Sequence, residues 1–338
     1  MLTRRTTLKR LLLAAPWLST PSGAAWAAPA RSTASAQSAD YDPLARPDPT
    51  PPTVWDGTLP GHADQRALPL RAYLPARTGG APVLVFSHGL GGSRRGSAYL
   101  GQHWAARGYA ALFVQHPGSD EDVWRSVPAG QRKAALQAAA SAQQLRLRVQ
   151  DIRHLIDQLH AAPPPALAGR LDLARLGVAG HSFGARTAQR LGGQTTPGWD
   201  AADPRIRAAL LMSPSTPSRG DAASAFAAVR IPWMLMTGTQ DVSPIGDTDV
   251  PQRLAVFDAL PPGQKYLLVL DGATHAAFTD RPLPAHAPPR NPLHHRSILA
   301  LSTAFWDTHL RQDPAARAWL HGRGPRGVLQ TPDRWQTG

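Results

Sequence analysis

The pentapeptide Gly180-His181-Ser182-Phe183-Gly184 is where residue types and spacing most directly suggest chemistry. It follows the apolar run Leu176–Ala179 and precedes a helical stretch, so Ser182 falls on a strand-to-helix turn. Glycines two before and two after the serine let the two backbones cross closely. The hydroxyl then projects above a sheet at a helix start, where the dipole favours developing negative charge. A serine hydroxyl is a weak nucleophile; it needs a base, and the base needs an acid to orient it. Downstream, Trp233–Met236 leads into Thr237-Gly238-Thr239-Gln240-Asp241, and Tyr266–Leu270 leads into Asp271-Gly272-Ala273-Thr274-His275. A carboxylate and an imidazole therefore each lie just past a strand, at the C-terminal strand ends where open α/β sheets build their sites. Asp203 and Asp271 compete as the acid, but Asp203 precedes its strand and Asp271 sits close to His275, so strand-end logic favours Asp241. The set Ser182, Asp241, His275 is suited to acyl transfer.

Acyl transfer also needs N–H donors aimed at an oxyanion. The run Val83–Phe86 ends in Ser87-His88-Gly89-Leu90-Gly91-Gly92, a glycine-rich turn able to supply one donor. The residue after the nucleophile supplies another. Leu90 and Phe183 are the candidates. A phosphate-cradling reading of the same loop fails, because no lysine follows the glycines and the G-x-G-x-x-G spacing is absent. Arg94 and Arg95 nearby read as exposed side chains, with contact to an anionic substrate as the alternative. Trp124 and the Pro-rich stretch 281–293 are candidate roofs over the site. His181 reads as a packing residue of the turn. His286, His294 and His295 lack a nearby carboxylate or a helical i, i+4 pair, so no metal is expected there, and the chemistry calls for no cofactor.

These residues need a scaffold. Strand-like runs at Val83–Phe86, Ala110–Val114, Leu176–Ala179, Ala208–Met212, Trp233–Met236 and Tyr266–Leu270 are short and nearly continuous, as in parallel strands covered on both faces. Helical patterns lie between them, the strongest over 134–159, where Leu145, Val149, Ile152, Ile156 and Leu159 make one apolar face. Others fall near 96–107, 185–191, 251–260 and 294–310. The alternation predicts one α/β domain over 53–312, with a mostly parallel central sheet flanked by helices. Only about 20 residues separate the strand ending at Met212 from Trp233, too few for a large helical lid.

With these motifs in place, the chain resembles the α/β-hydrolase superfamily. Within it, the likeness is to the branch of predicted dienelactone hydrolases related to platelet-activating-factor acetylhydrolase. It covers roughly 53–320 and rests on Phe86–Gly92, Gly180–Gly184, Gly238–Asp241 and Thr274-His275, together with Gln115–Ser119 and Thr303–Asp307. The resemblance implies the α/β-hydrolase fold, with Ser182 as nucleophile, Asp241 as acid, His275 as base, and Leu90 and Phe183 as oxyanion donors. It adds His116 to Trp124 as a candidate pocket residue. Dienelactone hydrolases proper use a cysteine nucleophile, and this chain has no cysteine. The expectation is a serine hydrolase acting on small-molecule or lipid esters, with lipid degradation among the roles this allows.

Charge points elsewhere at first. The 338 residues carry 36 basic against 23 acidic side chains, net +13, which by itself suggests an anionic surface or nucleic acid. The excess is scattered, without a like-charge block or a basic–aromatic stripe, so no nucleic-acid partner is expected. At the N-terminus, Arg4, Arg5, Lys9 and Arg10 precede the apolar run 11–18 and the small-residue site Ala25-Trp26-Ala27. That pattern reads as a twin-arginine-type export signal over 1–27, followed by a linker over 28–52, with 313–338 as a C-terminal tail. Cleavage would take the charge from +13 to +9. The expected product is a periplasmic or secreted monomer without a membrane span. The alternative is a catalytically silent or basic surface-binding protein on the same fold.

Overall fold

A computed structural model describes residues 41–61, 66–281 and 289–338. The export signal, most of the linker and His286 lie outside the described residues. Nine strands form one sheet: β1 (Thr53–Leu59), β2 (Leu68–Leu74), β3 (Ala81–Ser87), β4 (Ala110–Val114), β5 (Leu171–His181), β6 (Ile206–Met212), β7 (Trp233–Gln240), β8 (Lys265–Thr274) and β9 (Arg334–Thr337). Their order is β1-β2-β4-β3-β5-β6-β7-β8-β9. Every pairing from β4 to β8 is parallel, while β1, β2 and β9 add antiparallel edges. The central strands β3 and β4 are buried at every position, which is why their sequences are nearly unbroken apolar runs.

Helices cover both faces. In chain order they are α1 (Ala98–Ala106), α2 (Asp122–Arg125), α3 (Arg132–Ala139), α4 (Ala142–Ala161), α5 (Phe183–Leu191), α6 (Ala222–Phe226), α7 (Val250–Ala259), α8 (Pro292–Leu310) and α9 (Pro314–His321). One face buries Ile152, Leu155, Ala185 and Val256 from α4, α5 and α7; the other buries Trp104, Phe305, Trp306 and Leu320 from α1, α8 and α9. Two apolar layers thus sandwich one sheet, in a single α/β domain. The β6–β7 connection contains only the five-residue α6.

Three boundaries differ from the sequence expectation. The helix over 134–159 is two helices, because Ser141 is extended (φ −93°, ψ 159°) and its side chain accepts from the Gln144 amide, capping α4. The tail from 313 is structured: Asp313 caps α9 with Pro314 at its first turn, and β9 pairs with the outer edge of β8, stacking Trp335 on Tyr266. The linker assigned to 28–52 joins the fold from Tyr41 onward, whose hydroxyl donates to Asp307 at 2.7 Å.

Asp307 on α8 is the tie between these ends. It is 1% exposed and accepts from Tyr41, from Tyr109 at 2.6 Å, and from Arg107 and Arg311 at 2.9 Å each. Removing its carboxylate leaves two guanidinium groups without their counter-charge in a half-dry setting. Asp307→Ala is therefore expected to lower the unfolding free energy by about 3–5 kcal/mol in urea titrations. A loss below about 1 kcal/mol would contradict this account of the tie.

Candidate active site

The turn at Ser182 is set by steric exclusion. Ser182 lies between β5 and α5 at φ 57°, ψ −115°, a conformation that costs a residue with a side chain about 1–3 kcal/mol. Its amide donates to the Met212 carbonyl at 2.9 Å, and its carbonyl accepts from the Arg186 amide at 3.1 Å. A Cβ on Gly180 would lie 2.2 Å from the Gly184 carbonyl oxygen, and one on Gly184 would lie 1.9 Å from the Ser87 oxygen. Only glycine fits at both positions, so α5 crosses directly over the ends of β3 and β5.

Two loops bring partners to the serine. His275 begins a short 3-10 turn after β8, and its Nε2 stands 2.9 Å from Ser182 Oγ. Its Nδ1 lies 2.7 Å from Asp241 Oδ1, just past β7. The carboxylate can only accept, so Nδ1 carries the proton and Nε2 is left to accept the serine hydroxyl. Asp241 is fully buried, with Thr237 donating to its other oxygen at 2.9 Å. Burial opposes its charge, but the His275 hydrogen bond and the neighbouring His275 and Arg253 charges outweigh that and hold its pKa below the ordinary value. The rival acids are elsewhere: Asp203 pairs with Arg205 at 2.6 Å, and exposed Asp271 accepts from Thr239. His181 does more than pack, since its Nε2 meets the His275 carbonyl at 3.1 Å.

The loop after β3 carries Leu90. His88 Nε2 accepts from the His116 amide at 3.1 Å, so its proton sits on Nδ1, which donates to the Gly89 carbonyl at 2.7 Å. Burial, then the charge of Arg148, hold His88 neutral with its pKa well below the usual value. The Gly89 carbonyl also accepts from the Gly92 amide at 3.0 Å. No peptide here is cis, and across a trans peptide the N–H points opposite to the carbonyl. Pinning the Gly89 oxygen therefore turns the Leu90 N–H the other way. Phe183 opens α5, so its N–H has no acceptor within its own helix. Leu90, Phe183, Ser182 and His275 all line one cavity of about 460 Å³, with Val242, Pro244 and Ile245 among its apolar walls.

Two pocket candidates are not in the pocket. His116 is fully buried and does not line the cavity; its Nε2 meets Ser87 Oγ at 2.9 Å and its Nδ1 meets Asp151 at 2.8 Å, with Arg66 closing the chain at 2.8 Å. This second Ser-His-Asp array has the bonding of the first but no opening to a cavity. Trp124 does not line the cavity; it donates from Nε1 to the Gly91 carbonyl at 2.8 Å, with Arg125, Arg132 and Arg281 over its ring. Of the stretch 281–293, the described Arg281 and Arg290 line the cavity. Arg94 is held by Asp56 and Gln115, away from the cavity. His294 and His295 lie in the first turn of α8 and bond the Asp271 and Ala277 carbonyls. Among the described residues there is no group of three or more potential metal ligands, and no helix long and apolar enough to cross a membrane.

Sequence reasoning missed Arg253 and Arg148. Arg253, on α7 and 2% exposed, holds the Asp241 and Ser213 carbonyls at 2.6 and 2.8 Å and lies 3.2 Å from the Asp241 carboxylate. Arg148, on α4, donates to the His88 carbonyl at 2.8 Å and to Ser119 Oγ at 2.8 Å. Neither sits in a local motif, and both reach the site only through the fold. No protein-family model and no curated protein matches the chain.

The buried imidazoles have a measurable consequence. Burial, reinforced by Arg148 and opposed by Asp151, pushes the His116 pKa down to about 4. In the unfolded chain it returns to about 6.5, so unfolding takes up a proton between the two values. The stability this contributes is complete above about pH 6.5 and is lost as pH falls through about 4, a change of roughly 3 kcal/mol. His88 acts in the same direction. Urea unfolding free energies measured between about pH 7 and 4 are expected to fall accordingly; a flat profile would contradict the neutral buried imidazoles.

Proposed function

We propose that the chain is a serine hydrolase of the α/β-hydrolase superfamily that cleaves carboxylic esters through an acyl-enzyme. The observation that carries this reading is the Ser182–His275–Asp241 relay, at 2.9 and 2.7 Å, opening onto a cavity at a strained strand-to-helix turn. The chain order serine, aspartate, histidine, with each residue just past a parallel strand, supports the superfamily assignment. In this reading Ser182 Oγ attacks the ester carbonyl carbon as His275 Nε2 takes its proton. The carbonyl oxygen becomes an oxyanion, received by the Leu90 and Phe183 N–H groups. The tetrahedral species collapses, breaking the bond to the alcohol oxygen, and His275 returns the proton to that leaving group. Water then repeats the sequence on the acyl-serine and releases the acid. Asp241 keeps the Nδ1 proton in place and stabilises the imidazolium, with Arg253 fixing its backbone. The small β6–β7 connection and the open apolar wall of Val242, Pro244 and Ile245 suit short or medium acyl groups.

A fluorophosphonate probe tests the nucleophile. Wild-type chain is expected to be labelled stoichiometrically and Ser182→Ala not at all; no labelling of folded wild type would sink the hydrolase reading. A second measurement tests the loop. His88 is a positioning residue acting through the Gly89–Leu90 peptide, so His88→Ala is expected to lower kcat on p-nitrophenyl butyrate roughly 100-fold per titrated active site, with KM little changed. A merely structural role would reduce the yield of active sites and leave kcat per site intact.

A further inference from the structure

Arg186 lies one helical turn beyond Ser182 on α5, about 6 Å along the helix axis, and its side chain lines the same cavity. The buried arginines of this region are committed. Arg253 is bound to Asp241, Arg148 to Ser119 and the His88 carbonyl, and Arg190 to the Gln194 carbonyl and the Trp199 ring. The Arg186 guanidinium has no hydrogen bond, ion pair or ring contact among the described residues. Burial alone pushes its pKa down, with no carboxylate near enough to oppose it. Its electrostatic neighbours are cations, Arg190 and Arg253.

The surrounding lining makes the imbalance larger. Arg186, Arg253, Arg281 and Arg290 line the cavity, and no aspartate or glutamate does so among the described residues. The sequence between Arg281 and Arg290 adds no acid. Glu121 offsets part of the Arg281 charge and Arg290 donates to the Arg281 carbonyl, and neither arrangement brings a carboxylate to Arg186. A partly desolvated guanidinium without a counter-charge is unfavourable, and a planar fork of donors beside a nucleophile is matched to an oxyanion group. The Phe183 and Leu90 amides receive the reacting oxygen; Arg186 is placed for a second negative group a few bonds away.

We propose that Arg186 anchors an anionic group on the substrate, so that the site prefers esters bearing a carboxylate-like charge within a few bonds of the reacting carbonyl. This rests on the serine-hydrolase reading and names its substrate class. The anion can belong to the acid or to the alcohol, and matched pairs separate the two. For the acid side, p-nitrophenyl hydrogen glutarate is compared with p-nitrophenyl valerate; for the alcohol side, 4-acetoxybutyrate is compared with butyl acetate. The wild type is expected to favour the charged member of at least one pair in kcat/KM. In that pair Arg186→Met is expected to cut the charged-to-neutral ratio roughly 10- to 100-fold, and Arg186→Lys to restore part of it. Turnover with ratios that Arg186→Met leaves unchanged in both pairs would overturn the anchor and leave the hydrolase reading standing. No turnover of any ester by wild type that is also unlabelled by fluorophosphonate would overturn both.

Discussion

The site depends on one close crossing. Because Gly184 has no side chain, the first turn of α5 rests on the carbonyl end of β3, where a Cβ would lie 1.9 Å from the Ser87 oxygen. That approach forces Ser182 to a positive φ and brings the loop after β3 against the serine turn. It also places a helix N-terminus, an unpaired amide and the Leu90 loop around one point. The strain of about 1–3 kcal/mol at Ser182 is sustained by rigid surroundings: central parallel strands β3 and β4 buried at every position, with helices packed on both faces of the sheet. Every other feature of the site is an addition to that crossing.

The molecule holds two Ser-His-Asp arrays, and their difference is instructive. In one, Ser182, His275 and Asp241 sit at strand ends with the serine on a cavity. In the other, Ser87, His116 and Asp151 have nearly the same distances but lie beneath the loop, closed by Arg66. The two differ in access: Ser182 lines the cavity with Leu90 and Phe183, and Ser87 does not. The buried array has a different use. Through the His116 amide it fixes the tautomer of His88, and through His88 the direction of the Gly89–Leu90 peptide.

Much of this was readable from sequence, for reasons that can be located. Ser182, Asp241 and His275 each follow an apolar run, so their placement at strand ends follows from local pattern, and the central parallel strands announce themselves by continuous hydrophobicity. Arg253 was not readable, because it reaches Asp241 from a helix twelve positions later with no motif of its own. The pairing of His116 with Asp151 joins a loop after β4 to the middle of α4 and exists only once the sheet is built. Some signals were present but outvoted. Ser141-x-x-Gln144 is a capping pattern, yet the apolar period runs smoothly across it and suggests one helix. Asp313-Pro314 likewise marks a helix start inside what reads as a tail. The edge strand β9 pairs through its backbone and has three of four residues exposed, so its sequence carries no apolar run to betray it.

The central claim is that Ser182 carries the acyl group between the two halves of an ester cleavage. The most direct measurement is peptide mass spectrometry of the chain acid-quenched during turnover of p-nitrophenyl acetate, with a Ser182→Ala chain alongside. The account predicts one acetyl group, on the peptide containing Ser182, present during turnover and gone when substrate is exhausted. Turnover with Ser182 unmodified throughout, or with the acetyl group on another residue, would contradict it.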